Sequence, residues 1–185
     1  RNGKRQSTVV AYLDPARGRK NLTIIDAAAV HSLQLSGKKA EGVHYEKNGQ
    51  MHTALGGQIL LTSGVYGSPQ ILMLAGIGPS AELKKHGIPV VHELNGVGEN
   101  YQDHPVVFMT FEGPKESKED WVVPRFRLII RKNAIGEAAN FHINMRPPTE
   151  VTGLKRMMPI SAHLLEQRNR GRVFLQSADP HDQVG

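Results

Sequence analysis

The sequence predicts a mixed α/β (α+β) fold, and three observations predict it. Between residues 28 and 55, short apolar-rich segments alternate with turn signals. Between residues 58 and 89, a compact apolar run leads into a small-residue turn and two helical patterns closed by glycine. Beyond residue 105 the texture changes to alternating apolar stretches with irregular connections. The length agrees: 185 residues suit one domain, or one domain plus part of another, and can bury a sizeable core. A composition of 39% apolar and 22% charged residues is neither disordered nor fibrous.

In chain order, Ser7 to Leu13 reads as a short helix stopped by Asp14-Pro15, and Asn21 to Ile25 as a strand. Ala28 to Leu35, Ala40 to Glu46 and Met51 to Leu55 read as three further strands. Ser36-Gly37-Lys38-Lys39 and Lys47-Asn48-Gly49-Gln50 separate them, and Asn48-Gly49 suits a tight hairpin whose central residues need positive φ. The expected unit is a β-meander. Gln58 to Thr62 reads as a buried strand. A helix is expected from Ser68, with Pro69 at its first position and Gly76 and Gly78 at its end. Ser80 is the expected cap of another helix, Ala81 to His86, closed by Gly87 and Pro89. Pro89 to Leu94 is an extended piece, and Asn95 to Pro105 a polar loop. Val106 to Phe111, Phe126 to Ile130, Asn140 to Met145 and Arg172 to Ser177 read as strands, with a polar loop over Glu112 to Asp120. A domain transition is expected near residue 105.

Several function classes are excluded or disfavoured. Cysteine is absent, which removes disulfides, thiolate metal sites and a Cys nucleophile. The apolar runs Ile59-Leu60-Leu61 and Ile71 to Ala75 are far shorter than the roughly 18 residues of a membrane-spanning helix. No charged-then-apolar leader opens the chain. A cytoplasmic location is the expectation, and the Met-less start suggests a piece of a longer chain. The net charge of +6 could serve a polyanion. The basic residues are scattered, however, and only 5% of residues are aromatic, so nucleic acid is not an expected partner.

The segment Leu60-Leu61-Thr62-Ser63-Gly64-Val65-Tyr66-Gly67-Ser68-Pro69-Gln70 is the most informative. A strand entering a small-residue turn and then a helix lets backbone approach a ligand and aims N–H groups at anionic oxygens. The same pattern also serves an ordinary strand-to-helix turn. His31, His44, His52, His86, His92, His163 and His181 show no carboxylate at metal-ligand spacing, so no metal site is expected. His142 alternates with apolar neighbours in Asn140-Phe141-His142-Ile143-Asn144, as on a strand with one face on a cavity; a hydrogen-bonded sheet histidine is the alternative, and the residues alone favour it.

Gly64 to Pro79, together with Gly96-Val97-Gly98-Glu99-Asn100-Tyr101-Gln102-Asp103-His104, resembles the glucose–methanol–choline (GMC) oxidoreductases, which are FAD-dependent. Ser7 to Ala16 with Asn21-Leu22-Thr23, and Arg170 to Pro180, resemble further stretches of that family. The resemblance covers Ser7 to Pro105 and Arg170 to Pro180 and is poor between them. Tyr101 replaces the Leu of several members and puts more bulk in its loop.

The resemblance implies an incomplete FAD-binding domain over residues 1–105 and part of an antiparallel-sheet substrate domain over 106–185. It implies cofactor contacts from the pair Ala29 and Val30 in the first meander strand, with Val30 the contact to adenine. Ser63 and Gly64 match the turn passing the adenosine portion, and Ser68 and Pro69 the helix start. Asn100, Asp103 and His104 match the hinge into the substrate domain; for Asp103 and His104, a turn cap and a surface histidine are the alternative. It implies a substrate-lining place for His142. No Gly-x-Gly-x-x-Gly follows a strand here, and the family's catalytic His lies beyond the residue matching Gly185, so no residue of this chain is expected to be catalytic. The implied reaction is oxidation of an alcohol, choline-like or small and aliphatic, to a carbonyl with hydride transfer to FAD. The implied partners are that alcohol and the remainder of the same polypeptide. A non-catalytic basic binding module and a sugar or aryl-alcohol oxidase are the alternatives.

Overall fold

The computed structural model describes residues 6–112, 126–130, 140–145 and 157–185. The expected polar loop at 112–120 lies, after Glu112, outside the described residues. The chain divides into two compact units. The first runs to Val97 and includes Phe174–Gly185, and the second is Gly98–Val173.

The first unit opens with a wide helical turn, Val9–Leu13, continuing into α1, Asp14–Ala16. Asp14-Pro15 does not stop the helix as expected. The Asp14 N–H donates to the Val9 carbonyl five residues back, and Pro15 falls in the first turn of α1, where a missing N–H is tolerated. The expected strand at Asn21 to Ile25 forms no ladder. The meander is as read: β1 (Ala29–Ser36), β2 (Lys39–Lys47) and β3 (Gln50–Leu55) pair antiparallel in the order β1-β2-β3. Asn48 (φ 54°) and Gly49 (φ 73°) make the β2–β3 turn. The β1–β2 register slips between Val30 and Ser32, which leaves His31 as an extra residue.

Gln58 to Thr62 also forms no strand, and Leu60 is 76% exposed. A strand exists only beside another strand's backbone, and the described residues supply none here. Helix α2, Gly64–Leu74, begins a turn before the expected Ser68. Pro69 therefore sits inside it and costs one intrahelical bond instead of none. The short β4 (Ile77–Gly78) follows. Helix α3, Ser80–Lys85, comes next, then β5 (His92–Glu93), parallel to β4. Ser80 does not cap α3. Its hydroxyl donates to Glu93 Oε1 at 2.7 Å, and Pro79 occupies the cap position.

Met73, Leu83, Val97 and Leu175 form the buried core of this unit, with Leu72, Leu74, Ile88 and Val184 packed around it. Leu175 and Val184 bring the C-terminal segment into that core. Phe174 and Gly185 exchange both backbone hydrogen bonds, at 3.1 and 2.9 Å, so the segment closes on itself.

The second unit begins at Gly98. β6 (Glu99–Tyr101) lies in the expected loop and pairs with β11 (Gly171–Arg172), which is shorter than the strand expected over Arg172 to Ser177. β7 (Val106–Glu112), β8 (Phe126–Ile130), β9 (Phe141–Met145) and β10 (Met157–Leu164) form an antiparallel sheet in the order β7-β10-β9-β8. β10 has no counterpart among the strands expected from the sequence, and its Pro159 is a residue disfavoured inside a sheet. Here Pro159 faces Thr110 of β7, and the described ladder to β9 begins only at Ile160.

Candidate functional site

In the first unit, the meander carries an apolar hollow of about 160 Å³. Ile25, Ala28, Val30, Val43, Tyr45 and Ala54 line it. Strand register explains the set. Val30 faces Tyr45 across β1–β2 and Val43 faces Ala54 across β2–β3, while Val43 and Tyr45 share a face by the two-residue period. The hollow is smaller than a pocket for a whole drug-sized ligand and suits one ring system of a larger one. Of the residues singled out in the sequence, Val30 lines this hollow. Ala29, exposed beside it, pairs with Glu46. Val43, Tyr45, Ala54, Ile25 and Ala28 were not foreseen. The period-2 pattern of β2 marks Val43 and Tyr45 as one face, but not which face is hollow.

Helix α2 packs against β1. At its start Gly64 adopts φ 80°, a left-handed conformation that a side chain would strain. The Ser63 N–H donates to Ser68 Oγ at 3.1 Å, so the Ser68 hydroxyl holds the turn from within the helix. Residues 64–66, at the N-terminal turn, are exposed, and that turn contains no acidic residue. First-turn N–H groups lack intrahelical partners, so this end of the helix carries partial positive charge. Pro69 lies further along the helix.

In the second unit, Asn100 has φ 62°, which Asn tolerates better than most residues. Asp103 accepts two hydrogen bonds, from the His104 N–H at 2.7 Å and from the Tyr101 hydroxyl at 3.3 Å. That is a turn-capping geometry. Tyr101, whose bulk posed a packing question, is half-buried and lies opposite Gly171. His104 is exposed.

His142 on β9 lies directly across from His163 on β10 and from Ile129 on β8. By the strand period, Asn144 and Ser161 share its face, as does Arg127, which lies opposite Asn144. Arg127 Nε donates to Asn144 Oδ1 at 3.0 Å, and Ser161 Oγ and His163 Nε2 are hydrogen-bonded at 2.9 Å. The His142 pKa is lowered, first by partial burial, then by the charge of Arg127 and by His104 and His163. The folded state therefore disfavours protonated His142. Its contribution to stability is fully present above about pH 6.5, the ordinary imidazole value, and is lost as pH falls through the lower folded value. An NMR titration of the histidine Cε1–H signals will find His142 titrating below that value, and Arg127→Gln will move its midpoint upward. An unchanged midpoint in the variant would remove Arg127 as a cause.

Comparison with known proteins identifies the fold first. Its described architecture is shared with pyridoxine 4-oxidase from Mesorbium loti (TM-score 0.83, 21% identity, 100% of this chain and 38% of that one). Formate oxidase shares it as well (TM-score 0.73, 20% identity, 91% and 40%). Residues 1–106 match the family described as GMC oxidoreductase, and the chain belongs to that family. It is 48% identical to the oxygen-dependent choline dehydrogenase of Chromohalobacter salexigens over 97% of this chain and 38% of that protein. It is 44% identical to that of Staphylococcus haemolyticus over 60% of this chain and 20% of the relative. The chain thus spans well under half the length of these relatives. Among the described residues, no helix is long and apolar enough to cross a membrane.

Proposed function

We propose that this chain is a segment of a flavoprotein oxidoreductase that oxidises an alcohol to a carbonyl, and that it forms part of the FAD site. The observation that carries the reading is the apolar hollow at Val30, in a chain of the GMC family. FAD fits the residues present: the hollow accommodates a flat ring, and the left-handed Gly64 lets the turn backbone approach a ligand closely. Bound FAD supplies the hydride acceptor. Val30 and Ala29 hold the adenine end, Ser63 and Gly64 the adenosine portion, and Ser68 and Pro69 build the helix behind that turn. Asn100, Asp103 and His104 shape the entry to a substrate-binding sheet within Gly98–Val173, with the expected stretch 174–185 belonging to the first unit instead, and Asp103 ties its own loop. His142, depressed in pKa, presents a neutral imidazole near pH 7 that can orient a substrate hydroxyl without adding charge.

The proton-accepting base is contributed by sequence outside these residues. Choline-like alcohols are the favoured substrate class, because the 48%-identical relative is a choline dehydrogenase. The 185-residue chain by itself is expected to bind FAD weakly or not at all, for want of a Gly-x-Gly-x-x-Gly cradle. Absorbance spectra test this. The purified chain should be colourless, and the parent enzyme yellow and bleached by choline without oxygen. A parent that retains no flavin would sink the reading. In the parent, Val30→Asp places a charge in the hollow and should weaken FAD binding by about tenfold or more. Undiminished flavin content in that variant would remove Val30 from the site.

A further inference from the structure

We propose that His31, Glu46 and His181 form a binding site for a late first-row divalent cation of the Zn²⁺ type, which pins the C-terminal segment to the meander. The site shares no residue with those assigned to FAD, although His31 follows Val30 and Glu46 pairs with Ala29, and the proposal does not depend on that assignment.

The three side chains come from three places in the first unit: His31 from β1, Glu46 from β2 and His181 from the segment after Pro180. Their ligand atoms all lie within 4.8 Å of one another. His31 Nε2 is 3.3 Å from Glu46 Oε2, and His181 Nε2 is 3.2 Å from the same oxygen. Bonds of about 2.0–2.2 Å to a tetrahedral Zn²⁺ set ligand-to-ligand edges of about 3.3–3.6 Å. One edge, at 3.3 Å, already has that length, and a second, at 3.2 Å, is 0.1 Å short of it. The imidazoles meet edge to face, with ring centroids 4.9 Å apart.

Local structure aims each ligand. The β-bulge at His31 breaks the alternation of β1, and bulges re-aim side chains. His31 Nε2 is buried and has no hydrogen-bond partner, although the Glu46 carboxylate lies close by. A bound cation would accept the lone pair of this buried nitrogen and balance the nearby carboxylate. The loop that carries His181 is held at several points. Gln70 Nε2 donates to the Pro180 and Asp182 carbonyls at 3.3 and 2.9 Å, and the His181 N–H donates to Asp179 Oδ1 at 2.9 Å. Ser177 Oγ donates to Asp182 Oδ2 at 2.6 Å.

The donor set selects the metal. Two imidazoles and one carboxylate suit Zn²⁺ and its neighbours, whereas Mg²⁺ and Ca²⁺ prefer all-oxygen ligands. The His181 side chain is 60% exposed, which gives the ion an entry path and leaves a fourth position for water. Linear spacing hid the site, because the ligands are local neighbours only in the folded chain.

The test uses the tag-free, chelator-treated parent enzyme. Calorimetric titration with Zn²⁺ should show one equivalent bound. Co²⁺ should give the intense visible absorption of a four-coordinate ion. Saturating Zn²⁺ should raise Tm, as any ligand of the native state does. His181→Ala removes a mostly exposed side chain and should weaken Zn²⁺ by about tenfold or more, and should abolish the Zn²⁺-dependent rise in Tm whatever its effect on the metal-free value. Glu46→Gln should weaken it similarly. His86→Ala, which breaks the unrelated His86–Glu82 pair (3.2 Å), should have no effect. Equal Zn²⁺ affinity in wild type and His181→Ala would overturn the proposal, as would the absence of one-equivalent binding.

Discussion

Leu83→Ala lowers the stability of the first unit by about 2–5 kcal/mol, the range for removing a fully buried leucine. Leu83 has no exposed surface, and it packs in one cluster with Met73, Val97 and Leu175. Those residues come from helices α2 and α3, the end of the first run of chain and the returning C-terminal segment, so the cavity opens where separate pieces of chain meet. Backbone hydrogen bonds restrict how far the walls can collapse into it: Ile88 N–H donates to the Leu83 carbonyl at 2.9 Å, and Leu83 N–H donates to the Pro79 carbonyl at 3.1 Å. Urea unfolding of the chain measures the effect as a lower midpoint with an unchanged slope. Leu60→Ala is the paired control. Leu60 is 76% exposed, and the same chemical change there should shift the midpoint by less than about 0.5 kcal/mol. Equal losses at the two positions would refute this assignment of the core.

Gly98→Ala is expected to cost about 2–4 kcal/mol and to loosen the second unit at its first residue. Two effects add. Gly98 has φ 83°, where an L side chain is strained by about 1–2 kcal/mol. A Cβ there would also collide with the backbone carbonyl of Val173, which cannot swing aside as a side-chain tip would. Val173 N–H donates to the Gly98 carbonyl at 2.7 Å, beside the short β6–β11 ladder, so the displacement would break a formed hydrogen bond. Hydrogen exchange at the Val173 amide reads the loss directly. Gly96→Ala serves as the comparison, because a Cβ at Gly96 meets nothing within 4 Å and its φ is not positive. Protection at Val173 that survives Gly98→Ala would show that the close approach is not needed.

The elements that could be read in residue order share a property: their hydrogen bonds close locally. The meander is an example. Asn48-Gly49 and Gly37-Lys38 turn each strand onto the next, so β1, β2 and β3 supply one another's partners. Helix α3 ends at Gly87 for a similarly local reason. The elements misread at Asn21 to Ile25 and Gln58 to Thr62 have strand composition but no neighbouring backbone among the described residues. β10 shows the converse. Pro159 speaks against a strand, yet β7 and β9 flank the segment and supply its ladders. Helix α2 runs from Gly64, a turn before Ser68, and the left-handed Gly64 marks where the chain turns into it.

The candidate sites divide in the same way. The Ser63–Gly64 turn, Asn100 and Asp103 can be found in linear sequence, because Gly at a turn and Asp beside its own next N–H act within a few residues. The lining of the hollow by Tyr45 and Ala54, the basic side chains around His142, and the meeting of His31, Glu46 and His181 depend on register and on distant segments. Composition, turn chemistry and short motifs thus settled the mixed α/β class, the meander and the family resemblance, since each rests on interactions between near neighbours. Which side chains face one another was left to tertiary structure: a one-residue change of register moves a side chain to the opposite face, and the β-bulge at His31 is such a change.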